Sequence, residues 1–180
     1  QDGERANGKE ASLILEFDVA AEKFTGRYWQ YVFEQNGNAI GDFNMIDASN
    51  GLVIERDNGE GTADKACPQG LRGENCFPDV AKFKRVYKIE LSEANVGKPV
   101  RKIGFIDLMK IRDPDKNARK PLNDGVLAFP FFTIENVDRV DETHIIVGND
   151  DNRPITTGRD PNQAEHTQRR PHDGPRVLAT

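Results

Sequence analysis

Apolar and polar residues alternate along most of the first 150 positions, with the period-two rhythm of half-buried strands. Residues 12–17 are a short apolar run with a polar end. Across residues 27–34, Trp29, Tyr31 and Phe33 fall on one face, and Tyr28, Gln30 and Val32 on the other. Residues 42–46 and 52–56 flank the polar turn Asp47-Ala48-Ser49-Asn50-Gly51, which predicts a hairpin. Residues 83–91 alternate Phe83, Arg85, Tyr87 and Ile89 against Lys84, Val86 and Lys88. Residues 100–108 follow the turn-rich stretch 95–99, and residues 129–140 with 143–148 predict a second hairpin. Only residues 108–112 suggest a helical turn. The pattern predicts a nearly all-β chain of short strands: a sandwich, a barrel or a propeller.

An internal repeat selects the propeller. Laid without gaps over residues 135–152, residues 41–58 match Asp47 to Asp141, Val53 to Val147, Asp57 to Asp151 and Asn58 to Asn152. Ile46 meets Val140 and Leu52 meets Ile146. Each copy reads strand, acidic turn, apolar strand and polar cluster. The copies lie 94 residues apart with two predicted strands between them, the spacing of a four-stranded unit carrying insertions at 59–81 and 109–126. Repeated four-stranded units indicate a β-propeller. The expectation is a fragment of about two to two and a half four-stranded blades, spanning residues 1–152 and followed by a polar tail or closing segment, 153–180. A half propeller leaves blade faces and a sheet edge bare. The chain is therefore expected to be completed by a second chain or a missing N-terminal half, and not to fold as an independent monomer.

Composition narrows the functional classes. Twenty-five Lys and Arg against 30 Asp and Glu give a net charge of −5, which argues against generic nucleic-acid binding. No run approaches the roughly 18 apolar residues of a membrane-spanning helix. The first residue is Gln1 and no leader pattern follows, so a mature chain or a fragment is expected. Cys67 and Cys76, in a Gly- and Pro-rich stretch with no second pair and no nearby histidine, are expected to form a local disulfide. That points to an extracytoplasmic, periplasmic or secreted protein.

Four segments, in order, carry a family resemblance: Val53-Ile54-Glu55-Arg56-Asp57-Asn58-Gly59, Arg85-Val86-Tyr87-Lys88-Ile89-Glu90-Leu91, Phe129-Pro130-Phe131-Phe132-Thr133-Ile134-Glu135 and Ile146-Val147-Gly148-Asn149-Asp150-Asp151-Asn152. Together they resemble the phytase-like family, the "esterase-like activity of phytase" proteins, over roughly residues 9–163. Gly158-Arg159-Asp160-Pro161 resembles the family's segment after the Asp-Asn cluster. The resemblance implies an extracytoplasmic, six-bladed propeller and hydrolysis of phosphoesters or related esters. On that resemblance the chain is expected to lack the family's N-terminal half and, over its last 15 residues, the apolar closing strand.

The polar clusters are the candidate chemistry. Glu55, Asp57, Asn149, Asp150 and Asp151 are expected metal ligands, with Asn58 and Asn152 beside them. Carboxylate and amide oxygens are hard donors suited to Ca²⁺, with Mg²⁺ not excluded. A cation among them would polarise a phosphoryl or acyl oxygen of a small-molecule ester at the propeller axis. Arg56, Asp57 and Asp150 are the expected catalytic residues, Arg56 as a planar clamp for phosphate. Turn-shaping Asp and Asn side chains, and ion pairs for Arg56, are the competing readings. A non-catalytic propeller that binds a partner or small ligand around a structural Ca²⁺ is the alternative function. Asp113-Pro114-Asp115-Lys116-Asn117 opens like an EF-hand loop but has Ala118 at the sixth position and Asp124 at the twelfth, so a surface loop is expected. His144, His166 and His172 are minor candidates for a general base, and none of the three serines lies in a Gly-x-Ser-x-Gly elbow. The stripe Trp29, Tyr31, Phe33 is expected to be core between blades.

Overall fold

The structure, a computed structural model, describes residues 4–69, 76–118 and 124–150. Eleven strands and two short 3-10 turns make up its regular elements, with no α-helix among the described residues. β1 (Glu4–Ala6), β2 (Lys9–Asp18) and β3 (Lys23–Val32) form one antiparallel sheet. β4 (Ala39–Met45), β5 (Asn50–Arg56), β6 (Lys84–Glu90) and β7 (Arg101–Asp107) form a second, in sequence order. β8 (Ile111–Arg112) and β9 (Val126–Leu127) pair as a small ribbon, and β10 (Ile134–Arg139) and β11 (Ile145–Asn149) as a hairpin. The expected helical turn at 108–112 is instead a tight turn running into β8, because Ile111 and Arg112 find ladder partners in Leu127 and Val126. The first sheet has three strands where two were expected, since Glu4–Ala6 pairs with residues 9–11.

Three layers stack face to face around the central strand β5. Six of its seven residues, Gly51 to Arg56, are buried, as a strand covered on both faces must be. Val53 joins Tyr87 and Ile89 in a core shared with Trp29, Tyr31 and Phe33 of the first sheet, where the sequence placed that aromatic stripe. Leu52 and Ile54 turn the other way, joining Val86 and Leu108 against Ile134, Val137 and Val147 of the third layer. Among the described residues no sheet closes on itself, an arrangement consistent with a propeller fragment.

The sequence repeat is also a repeat of register. In the first hairpin Ile40 pairs with Glu55, a bulge follows at Gly41, and Asp42 pairs with Ile54. In the second, Ile134 pairs with Asn149, a bulge follows at Glu135, and Asn136 pairs with Gly148. Every pair is offset by the same 94 positions. The turns match as well: Asp47 Oδ1 accepts the N–H groups of Ser49 and Asn50, and Asp141 Oδ1 those of Thr143 and His144, all at 2.8 Å. An aspartate that takes two backbone donors closes its turn without help from the strands.

β4 also holds the third layer by its main chain. Asp42 Oδ2 accepts the Val137 N–H at 2.8 Å, and Asn44 Nδ2 donates to the Val137 carbonyl at 2.6 Å. Between them the two side chains satisfy an edge that would otherwise be left unpaired. Gly41 permits this approach, since a Cβ there would collide with the Ile134 carbonyl.

Cys67 and Cys76 are bonded, with Cα atoms 4.8 Å apart, as expected. Backbone bonds from Cys67 N to Phe77 O and from Phe77 N to Lys65 O bind the same segment. No helix among the described residues is long and apolar enough to cross a membrane.

Candidate functional site

The polar residues that end β5 divide between two junctions. Glu55 is fully buried and faces the first sheet. Its Oε2 accepts from the Tyr31 hydroxyl at 2.7 Å and the Lys102 ammonium at 3.1 Å. Its Oε1 accepts from the Glu34 N–H and from Asn38 Nδ2, both at 2.7 Å. Lys102 also pairs with Glu34 at 2.9 Å and lies 4.4 and 4.3 Å from the ring centroids of Tyr31 and Tyr87. A buried carboxylate is tolerable only when paired and hydrogen-bonded, and Glu55 is both. Burial, and after it the charge of Glu55, push the Tyr31 hydroxyl far above the usual tyrosine pKa.

Asp57 serves a different structure. Its Oδ1 meets the Lys84 ammonium at 2.7 Å and accepts the Gly59 N–H at 3.2 Å. Its Oδ2 accepts the N–H groups of Lys82 and Phe83 at 2.7 and 2.9 Å. Lys84 is wholly buried and also donates to the carbonyls of Asp57 and Gly59 at 2.9 and 2.8 Å. Three acceptors match the three donors of an ammonium. Burial lowers the Lys84 pKa, and Asp57 opposes that shift. Glu55 and Asp57 share no hydrogen-bond or ion-pair partner among the described residues.

Arg56 points towards the third layer. Its guanidinium lies 4.5 Å over the Phe132 ring and Nη1 donates to Asn58 Oδ1 at 3.0 Å, while its buried Nε has no partner among the described residues. Desolvation depresses its pKa, against the attraction of Glu135 and Asp57. At the end of β11, Thr133 Oγ1 donates to Asn149 Oδ1 at 3.0 Å and to the Asp150 carbonyl, and the Asp150 N–H returns to the Thr133 carbonyl at 2.9 Å. Thr133 thus fixes residues 149 and 150. Asp151, Asn152, His166 and His172 lie outside the described residues.

Register puts Glu55 and Asn149 at equivalent ends of two hairpins. Among the described residues, no group of three His, Cys, Asp or Glu side chains stands ready to hold a metal. A groove of about 550 Å³ opens at the opposite, turn-bearing end of the hairpins, between Val86, Lys88, Phe105 and Ile106 on one side and Arg139 and His144 on the other. His144 there bonds Asp141 at 2.9 Å, and the Thr143 N–H, followed by His144, holds the Asp141 carboxyl well below the usual range. Asp113 accepts the N–H groups of Asn117 and Ala118 at 2.9 and 2.7 Å, the bonding of a loop that closes on itself.

Sequence reasoning missed Lys84, Lys102, Asn38 and Tyr31 as the partners of the acidic cluster. One partial signal was present: Lys84 shares its strand face with Val86, and a charge buried beside an apolar residue needs a partner.

The fold and site thus define an all-β chain of stacked antiparallel layers with acidic and amide residues at matching strand ends. The sequence profile of the phytase-like family, described as esterase-like activity of phytase, matches residues 1–153, and the chain belongs to that family. No curated protein and no solved structure matches the chain.

Proposed function

We propose that this chain is the C-terminal part of a phytase-like hydrolase, in which a six-bladed propeller cleaves phosphoesters or related esters at its axis in a periplasmic or secreted setting. Family membership suggests a hydrolase-like propeller, and the disulfide supports an oxidising compartment. The observation that carries the site is the shared register of the two hairpins, which brings the ends of β5 and β11 to equivalent positions.

The donor set divides when tested against a cation. Glu55 and Asp57 already hold the ammonium groups of Lys102 and Lys84, so they fit a metal poorly in this arrangement. The proposal therefore rests on Asn149 and Asp150, positioned by Thr133, with Asp151 next in the chain. Such oxygens suit Ca²⁺ or Mg²⁺. When bound, the cation would supply a Lewis acid at a phosphoryl or acyl oxygen. Arg56, over the Phe132 ring, would orient the phosphate through its planar fork, and Asp57 would hold Lys84 beside it.

The saturation of Glu55 and Asp57 by internal donors favours a second reading: a non-catalytic propeller whose acidic residues serve the fold, with a structural Ca²⁺ at the end of β11. Hydrolysis of p-nitrophenyl phosphate and p-nitrophenyl acetate, with Ca²⁺, with Mg²⁺ and with chelator, separates the two. The hydrolase reading expects turnover that chelator abolishes and that Asp150→Ala reduces at least tenfold with the melting temperature retained. Absence of turnover with either metal, or turnover indifferent to Asp150→Ala, overturns it.

A further inference from the structure

Asparagine is followed by glycine four times in the chain, at Asn7-Gly8, Asn36-Gly37, Asn50-Gly51 and Asn58-Gly59. The pair carries chemistry of its own. Glycine has no side chain to shield its main-chain nitrogen, which can therefore approach the side-chain amide carbon of the asparagine before it. The nitrogen attacks that carbon and the new C–N bond closes a succinimide ring. The side-chain nitrogen leaves as ammonia, taking the proton that the glycine N–H gives up. Water then opens the ring at either carbonyl, leaving aspartate or isoaspartate. Water is the only co-reactant, and nothing is oxidised or reduced. The step needs a glycine nitrogen free of hydrogen bonds and an asparagine side chain free to turn.

Three of the four pairs are held against it. Asn36 Oδ1 accepts the Glu10 N–H at 3.1 Å, and Glu10 Oε2 takes the Gly37 N–H at 2.8 Å. Asn50 Nδ2 donates to both Asp47 oxygens, at 2.9 and 3.0 Å, and Gly51 is buried in the sheet between Met45 and Ile89. Asn58 Oδ1 accepts from Arg56, Asp57 Oδ1 takes the Gly59 N–H at 3.2 Å, and the Gly59 carbonyl accepts from Lys84. A carboxylate on the glycine N–H occupies the nucleophile and also opposes loss of its proton.

Asn7-Gly8 has none of this. Both residues are exposed and have positive φ, 54° and 79°, as the centre of a two-residue turn between β1 and β2 requires. Among the described residues neither the Asn7 side chain nor the Gly8 N–H has a hydrogen-bond partner. Three residue pairs join β1 to β2, so the turn opens at little cost.

We propose that Asn7 is a self-modification site, which converts to aspartate and isoaspartate in the folded protein while Asn36, Asn50 and Asn58 remain amides. Isoaspartate routes the main chain through the former side chain and lengthens it by a methylene. A two-residue turn has no slack for an extra main-chain atom, so Ala6 loses its partner Lys9 and β1 leaves the edge of the first sheet. The inference is independent of the hydrolase reading.

The full 180-residue chain, incubated folded in mildly alkaline buffer and then digested, tests this by mass spectrometry, with methyl labelling by an isoaspartate methyltransferase marking the isomer. Asn7 is expected to convert at least tenfold faster than each of the other three. In the urea-unfolded chain the four rates should fall within threefold of one another. An Asn7 that stays intact in the folded chain, or an Asn36, Asn50 or Asn58 that converts as fast, overturns the proposal. So does a tenfold spread that persists in urea, which would place the difference in sequence and not in structure. Glu10→Ala frees the Gly37 N–H and should speed conversion of Asn36 at least threefold; an unchanged rate there would mean that the carboxylate is no lock, and would overturn the contrast on which Asn7 was chosen.

Discussion

Glu55 carries four donors on two oxygens in a fully buried site, so the loss of the carboxylate removes an acceptor from all four. Glu55→Ala leaves the Tyr31 hydroxyl without its acceptor and the Lys102 ammonium with Glu34 alone, and breaking a buried pair in this way costs about 3–5 kcal/mol. Urea denaturation is expected to show a shift of that size, and adding Lys102→Met is expected to restore part of it. A loss under about 1 kcal/mol, the range of an exposed pair, would mean the carboxylate is not held as described. The same burial gives Tyr31 a pH signature. Its folded pKa lies above the ordinary value of 10.0, so the neutral form contributes stability that is complete below that value and declines as the pH rises above it. Ultraviolet titration should show that Tyr31 fails to ionise until the chain unfolds. Removing it with Tyr31→Phe should flatten the alkaline loss of stability.

At the level of elements, the junction between β4 and β10 depends on a missing side chain. Gly41→Ala puts a methyl group into the Ile134 carbonyl, and forcing backbone apart in a packed junction costs about 1–3 kcal/mol. Glu135, the counterpart of Gly41, is half-exposed, and Glu135→Ala should be close to neutral. Denaturation midpoints of the two variants test the asymmetry, and equal effects would count against the described contact. The hairpins were legible in the sequence because Asp47 and Asp141 shape their turns locally, and because Val53 and Val147 sit at the same step of an alternation. The bulges were not legible: Gly41 and Glu135 share no chemistry, and the irregularity belongs to the pairing. The acidic residues were read as ligands for a bound cation, whereas here Glu55 and Asp57 meet the ammonium groups of Lys102 and Lys84. These partners were hidden because Lys84 and Lys102 lie 27 and 47 residues away from Asp57 and Glu55 in sequence, and only sheet formation brings them in.

At the scale of the whole molecule, the stack is finished on neither side. Leu15, Phe17 and Phe24 on the first sheet are exposed apolar residues, with Leu13 and Tyr28 at its margin. Contiguous apolar surface of this kind on a soluble chain draws other surfaces to it. The 180-residue chain alone is expected to self-associate with rising concentration in sedimentation velocity. Leu15→Thr with Phe17→Thr should suppress that association while keeping the strands. Monodisperse behaviour of the unaltered chain, together with cooperative melting, would show that the layers suffice alone. Among the described residues the third layer has two strands, and a groove opens beside Val86 and Ile106.

The excursion between β5 and β6 has both feet fastened. Asp57 and Lys84 meet at 2.7 Å, Asp57 takes the amides of Lys82 and Phe83, and its own N–H returns to the Phe83 carbonyl. With the ends pinned, the entropy of closing the loop varies only logarithmically with its length, and doubling it would cost about 0.6 kcal/mol. The β5–β6 connection is thus a place where the chain can gain or lose residues, or carry a grafted peptide, while the sheet beneath keeps its registration.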